Sequence, residues 1–125
     1  MPPTAGARAT VETVVGVDDT AVALGSGDVH VLATPRVLAL AERATVAAVA
    51  DALPPGFTTV GAHVELRHLR PTFVGARVTA EATLEVVEGD RLQFGVRIVS
   101  GGKVVAEGTV TRVVADRSRF TPPTP

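Results

Sequence analysis

The sequence predicts an α+β domain in which a curved antiparallel sheet wraps one long helix, and three observations lead there. Residues 34–53 carry an almost uninterrupted apolar run between a helix start signal and a helix stop signal. The segments 58–69, 77–86, 92–98 and 104–114 alternate apolar and polar residues at the two-residue period of half-buried strands. Glu88-Gly89-Asp90 and Ser100-Gly101-Gly102 join the later segments as tight hairpins, so neighbouring strands run antiparallel.

Each element has its own local reason. Residues 1–9 are small and Pro-rich and are expected to be disordered, as are residues 121–125, whose prolines lack the N–H that a ladder requires. Residues 10–120 are expected to form the single domain. Thr10 to Val17 has strand composition; Asp18-Asp19-Thr20 interrupts it before a short apolar piece, Ala21 to Leu24, and Gly25-Ser26-Gly27-Asp28 turns the chain. Thr34 is the expected helix N-cap, with Pro35 at the first helical position and Pro54-Pro55-Gly56 as the stop. The twenty positions between would span about 30 Å. With almost no polar face from Val37 to Ala52, this helix is expected to be buried all round.

The strands that follow supply the enclosure. On the first, Val60, Ala62, Val64 and Leu66 are expected to face inward and Gly61, His63, Glu65 and Arg67 outward. On the next three, the expected inward sets are Val78, Ala80, Ala82, Leu84 and Val86, then Leu92, Phe94, Val96 and Ile98, then Val104, Ala106, Val110 and Val114. Such a sheet has an open edge, which predicts at least a dimer, with a tetramer left open.

Composition removes several function classes. Val and Ala supply 42 of the 125 residues, apolar residues make up 46% and charged residues 20%, which excludes a disordered chain. The net charge of −1 and 3% aromatic content leave neither a phosphate-tracking patch nor a base-stacking platform, so no nucleic-acid partner is expected. Without Cys there is no disulfide, thiolate nucleophile or Cys-based metal site. No secretory leader or membrane span is legible, so a cytoplasmic protein without a membrane partner is expected.

Function is sought where polar residues break the apolar pattern. Glu42 shares a helix stripe with Leu38, Val46 and Val49, which puts a carboxylate on a surface that ought to be packed; an ion pair at the helix edge is the plain alternative. Continuing Val60, Ala62, Val64 and Leu66 by two places reaches His68, an inward imidazole that is either a hydrogen-bonded core residue or an acid–base group. Continuing Val104, Ala106, Gly108 and Val110 reaches Arg112, whose burial requires an anion, either Glu42 or a substrate. Thr34 adds a hydroxyl at the helix N-terminus, where capping is the plain role and anion binding the chemical one. Thr34 and Glu42 lie about 12 Å apart along an ideal helix, so joint use requires an elongated site or a second subunit. His63 reads as surface and His30 is left undecided; His63 and His68 point to opposite faces, and no metal site is expected.

These pieces resemble the hotdog-fold thioesterases, in particular the group similar to fluoroacetyl-coenzyme A thioesterase. The resemblance rests on Ala33-Thr34 followed eight residues on by Glu42, Gly61 followed seven on by His68, and Gly108-Thr109-x-x-Arg112 with Phe120 eight beyond, and it covers roughly residues 31–120. It implies a hotdog fold, Thr34, Glu42 and His68 as the catalytic set, backbone contacts from Gly61 near the thioester, and a supporting Arg112. It also implies a homodimer with sites at the subunit interface, an acyl-CoA substrate hydrolysed to free acid and CoA, and no cofactor beyond the coenzyme A of the substrate. The fluoroacetate-specific enzyme carries an aromatic gate ahead of its Thr. Here Asp28-Val29-His30-Val31-Leu32 contains no Phe, so a different short or medium acyl chain is expected. The alternative is a non-catalytic hotdog module that binds acyl-CoA or a related ligand; the Asp and His pair of hotdog hydratases is not found.

Overall fold

The computed structural model describes residues 2–123. Its main elements are β1 (Arg8–Val14), α1 (Ala21–Leu24), α2 (Thr34–Val49), β2 (Phe57–His68), β3 (Arg77–Glu88), β4 (Arg91–Ser100) and β5 (Lys103–Asp116), with short 3₁₀ turns at Val17–Asp19, Ala50–Ala52 and Arg117–Phe120. All five strands form one antiparallel sheet in the order β1-β3-β4-β5-β2. Helix α2 lies across its concave face against every strand, the hotdog arrangement expected.

The core forms between helix and sheet. Val37, Leu40, Ala41, Ala44 and Val49 of α2 meet Val78, Ala80, Ala82 and Leu84 of β3, Leu92, Phe94, Val96 and Ile98 of β4, and Ala106 and Val110 of β5. Small Ala side chains at the crossing let the helix sit close to the sheet. The convex face is polar and carries the cross-strand pair Glu81–Arg97 at 3.1 Å. Among the described residues no helix is long and apolar enough to cross a membrane.

Several expectations need correction. The first strand starts at Arg8 rather than Thr10, because the Gly6 N–H donates to the Leu84 carbonyl and the Leu84 N–H to that of Ala7; residues 6–9, expected to be loose, are therefore held by β3. The expected disorder of residues 121–125 lies in part outside the described residues. Ala21–Leu24 is a single helical turn, capped by the Thr20 hydroxyl and ended by Gly25 in the left-handed region at φ 70°. Helix α2 stops at Val49 and tightens into the 3₁₀ turn that runs to Ala52. It is not buried all round: Val46 is 45% exposed and Ala47 is exposed, because the sheet encloses only one side.

Two β-bulges overturn inward and outward assignments. In β3 the ladder slips between Leu84 and Val86, and Val86 turns out to 38% exposure. In β2 it slips between Gly61 and His63, leaving Ala62 as the extra residue. Thr59 and Gly61, not Val60 and Ala62, therefore face the helix before the bulge, while Val64, Leu66 and His68 keep their expected inward face after it. A third slip, between Ile98 and Val99, buries Val105 in place of the half-buried Val104.

Candidate active site

The pattern-breaking residues gather in two groups along α2. At its N-terminal end, the Leu32 N–H donates to the Thr72 carbonyl (2.8 Å) and the Ala33 N–H to that of Asp19 (2.9 Å), fixing where the helix begins. Ala33, not Thr34, is the N-cap, and Pro35 stands at the second helical position. The Thr34 hydroxyl is thereby released from capping and lies 2.8 Å from Nδ1 of His68. The chain just beyond His68 is pinned in turn, since the Leu69 and Arg70 N–H groups both donate to the Val105 carbonyl (2.8 and 3.2 Å).

His68 is half-buried, and its Nε2 is enclosed without a hydrogen-bond partner among the described residues. Burial pushes its pKa below the usual 6.5, with the Arg70 backbone pulling the other way. The imidazole is thus held neutral near pH 7, as a general base requires. Because the folded state favours the neutral ring, its contribution to stability is complete above pH 6.5 and is lost as pH falls through the lower folded value. Thermal unfolding followed across pH 7.5 to 5 should show this acid-side loss, and His68→Gln should flatten it; an unchanged slope in the variant would remove His68 as its source.

Thr34 and His68 open onto a cleft of about 300 Å³ whose walls include Val29, Val31, Leu32 and Leu69, with Asp28 and Arg70 among its polar residues. The apolar walls suit an aliphatic group and the polar ones a carbonyl or amide.

The second group lies two helical turns further on. Arg112, opposite Gly61 in the β2–β5 ladder, is 8% exposed at its side chain, and its Nη1 donates to Oε2 of Glu42 at 2.9 Å. Of the two partners the sequence allowed for this buried cation, the structure supplies Glu42. Gly61 faces the same carboxylate: a Cβ there would lie 2.5 Å from Glu42 Oε2, so the missing side chain is the space the carboxylate occupies. That gives Gly61 a role which the outward assignment concealed. Thr59, which the sequence reading passed over, completes the group by accepting from Arg112 Nε through its hydroxyl (2.9 Å) and from Nη2 through its carbonyl (3.1 Å). The only available signal was that a buried guanidinium has five donors to satisfy and Glu42 could not satisfy them all.

Within one chain the two groups stay apart. Thr34 and Glu42 are about 12 Å apart along the helix axis, and Gly61 and His68 roughly 20 Å along the strand. His30 and His63 are exposed and belong to neither group. Among the described residues no three metal-ligating side chains come together.

Residues 15–118 match the family model described as FlK, fluoroacetyl-CoA-specific thioesterase. The chain belongs to this family. A fluoroacetyl-CoA thioesterase of Streptantibioticus cattleyicolor is 36% identical over 91 residues, which is 73% of this chain and 66%, just under two thirds, of that protein's length. A solved structure of a fluoroacetyl-CoA thioesterase superposes with a TM-score of 0.90 at 31% identity, covering 96% of this chain and 93% of that one. A thioesterase superfamily member from Thermus thermophilus superposes with a TM-score of 0.88 at 30% identity, covering 95% and 89%. A variant of the fluoroacetyl-CoA thioesterase solved with acetyl-CoA bound gives 0.89 at 31%, covering 94% and 93%. Membership in the fluoroacetyl-CoA-specific thioesterase family accounts for the hotdog fold and supports thioester hydrolysis.

Proposed function

We propose that this chain is an acyl-CoA thioesterase acting on a short to medium acyl chain, with Thr34, Glu42 and His68 as its catalytic set and Gly61 and Arg112 supporting Glu42. The observation that carries this is the Thr34–His68 contact at 2.8 Å beside a cleft of mixed apolar and polar lining. A neutral imidazole accepting through Nδ1 can draw the proton from an attacking oxygen, either the Thr34 hydroxyl or a water in its place. It returns that proton to the departing CoA thiolate as the carbonyl carbon exchanges its sulfur for oxygen. Where Thr34 is the attacking group, a water then attacks the resulting ester through the same proton relay, releasing the free acid and restoring the hydroxyl. With Nδ1 accepting, the enclosed Nε2 carries the remaining proton and wants an anion, which Glu42 of another copy would supply.

The assembly we propose is a homodimer formed through the open edge of β2. Counted along the ladder, with Ala62 as the extra residue, Glu65 is the midpoint between Gly61 and His68, three steps from each. Antiparallel pairing of two β2 strands about a twofold axis near that midpoint lays the Gly61 notch of one copy, with its Glu42, alongside His68 of the other. The exposed Val46, Leu69 and Phe73 are apolar surface that such a partner would cover. No cofactor enters this reading, since coenzyme A arrives with the substrate. A cytoplasmic site of action agrees with a fold that uses no disulfide.

The test is thiol release from a panel of acyl-CoA thioesters, from acetyl through long-chain and aryl. Turnover concentrated in the short and medium acyl groups is the expected result. Saturable binding without turnover across the panel would overturn the enzyme and leave a binding module.

A further inference from the structure

Arg112 is the one charged residue that is buried among the described residues, and the way its five donors are shared is unusual for an Arg–carboxylate pair. A guanidinium normally offers a carboxylate two parallel N–H groups, and a carboxylate clamped at both oxygens is a poor reactant. Here the Nε and Nη2 edge is taken by a single residue, Thr59, through its hydroxyl at 2.9 Å and its carbonyl at 3.1 Å. Only Nη1 is left for Glu42, and it meets Oε2 alone, at 2.9 Å. The same Oε2 fills the notch over Gly61. The other oxygen, Oε1, makes no hydrogen bond to the described residues.

We infer that Thr59 is a positioning residue: by occupying the forked edge of Arg112, it keeps Glu42 held at one oxygen and leaves the other free to accept from a reacting group. The inference rests on the thioesterase reading, in which the Glu42 carboxylate takes part in hydrolysis. Thr59 is itself buried, and it faces the helix only because the Ala62 bulge reverses the strand's facing ahead of it. Removing its hydroxyl while keeping its shape orphans the buried Nε–H of Arg112. The nearest anion is Glu42, so the guanidinium turns onto both carboxylate oxygens and the free one is lost.

The experiment measures kcat and KM of Thr59→Val, Thr59→Ser and Glu42→Gln beside the wild type, on the acyl-CoA that the wild type turns over fastest. Thr59→Val should lower kcat about tenfold or more with KM within about twofold, and Thr59→Ser should restore most of the rate, because the role belongs to the hydroxyl. Thermal melts of all four report whether each folds; if the valine variant does not, Thr59→Ala removes the same hydroxyl and takes its place. A hydroxyl-free variant with wild-type kcat, while Glu42→Gln is inactive, overturns the role of Thr59 and leaves the thioesterase reading intact. A kcat loss that serine does not recover also overturns it. A wild type without turnover overturns both, and an active Glu42→Gln beside an active wild type overturns the roles of Thr59 and Glu42 while leaving the hydrolysis standing.

Discussion

His68→Ala is expected to lower kcat by roughly two to four orders of magnitude, the usual worth of a general acid–base group, with a much smaller effect on KM. Among the described residues the ring is the one titratable side chain hydrogen-bonded to the Thr34 hydroxyl, and burial lowers its pKa, which favours its proton-accepting form. The same variant also tests the assembly. Glu42→Gln is expected to be similarly impaired, yet the two lesions lie in separate groups on the chain. If each site takes His68 from one copy and Glu42 from the other, a mixed dimer of the two variants has one doubly damaged site and one intact site. Random reassortment of equal amounts should then recover about a quarter of wild-type activity. No recovery after verified subunit exchange would place all the reacting groups on one chain and remove the need for a partner.

Gly108→Ala should be the most damaging small substitution for the fold. A Cβ at Gly108 would lie 1.9 Å from the Glu65 carbonyl oxygen and 2.9 Å from the Leu66 Cα, both backbone atoms of the paired strand. A flexible side chain could swing clear, but a strand hydrogen-bonded along its length cannot, so relief requires β2 to peel away from β5. Overpacking costs typically about 1–3 kcal/mol even where neighbours can adjust, and here they cannot. The expected result is a loss of about 3 kcal/mol or more, which for a domain of this size lowers Tm by roughly 10 °C or more. Since β2 also carries His68 and Gly61, activity should fall together with the structure. A melting temperature within about 2 °C of wild type would show that the two strands can separate locally at little cost.

The hotdog architecture was legible in the sequence because alternation and turn chemistry report on each strand locally, and β4, which runs without interruption from Leu92 to Ile98, came out as expected. Facing is a cumulative property, and one extra residue reverses everything on one side of it. Ala62 did this in β2: Val60 and Ala62 look as apolar as Val64 and Leu66, and nothing in the side chains marks where the ladder slips. Helix α2 was misread for a related reason. Its composition describes what could be buried, whereas the reach of five strands decides what is, leaving Val46 exposed. Thr34 was legible as a helix-start residue but not as the first helical residue, because the cap position turns on backbone angles at Ala33 that no side chain there enforces. Glu42, His68 and Arg112 were legible because each is polar where its neighbours are not. Thr59 was not, since a threonine in a strand is unremarkable until its partner is known.

The roughly 12 Å between Thr34 and Glu42 bears on how output depends on abundance. On the two-copy reading, a chain diluted to single copies carries every reacting group and none of the chemistry. Below the concentration at which copies pair, the rate would climb with the square of the amount of chain, and above it only in proportion. Expression level would then act as a threshold as well as a dose, and any ligand that bridges two copies would raise activity without touching the acyl group.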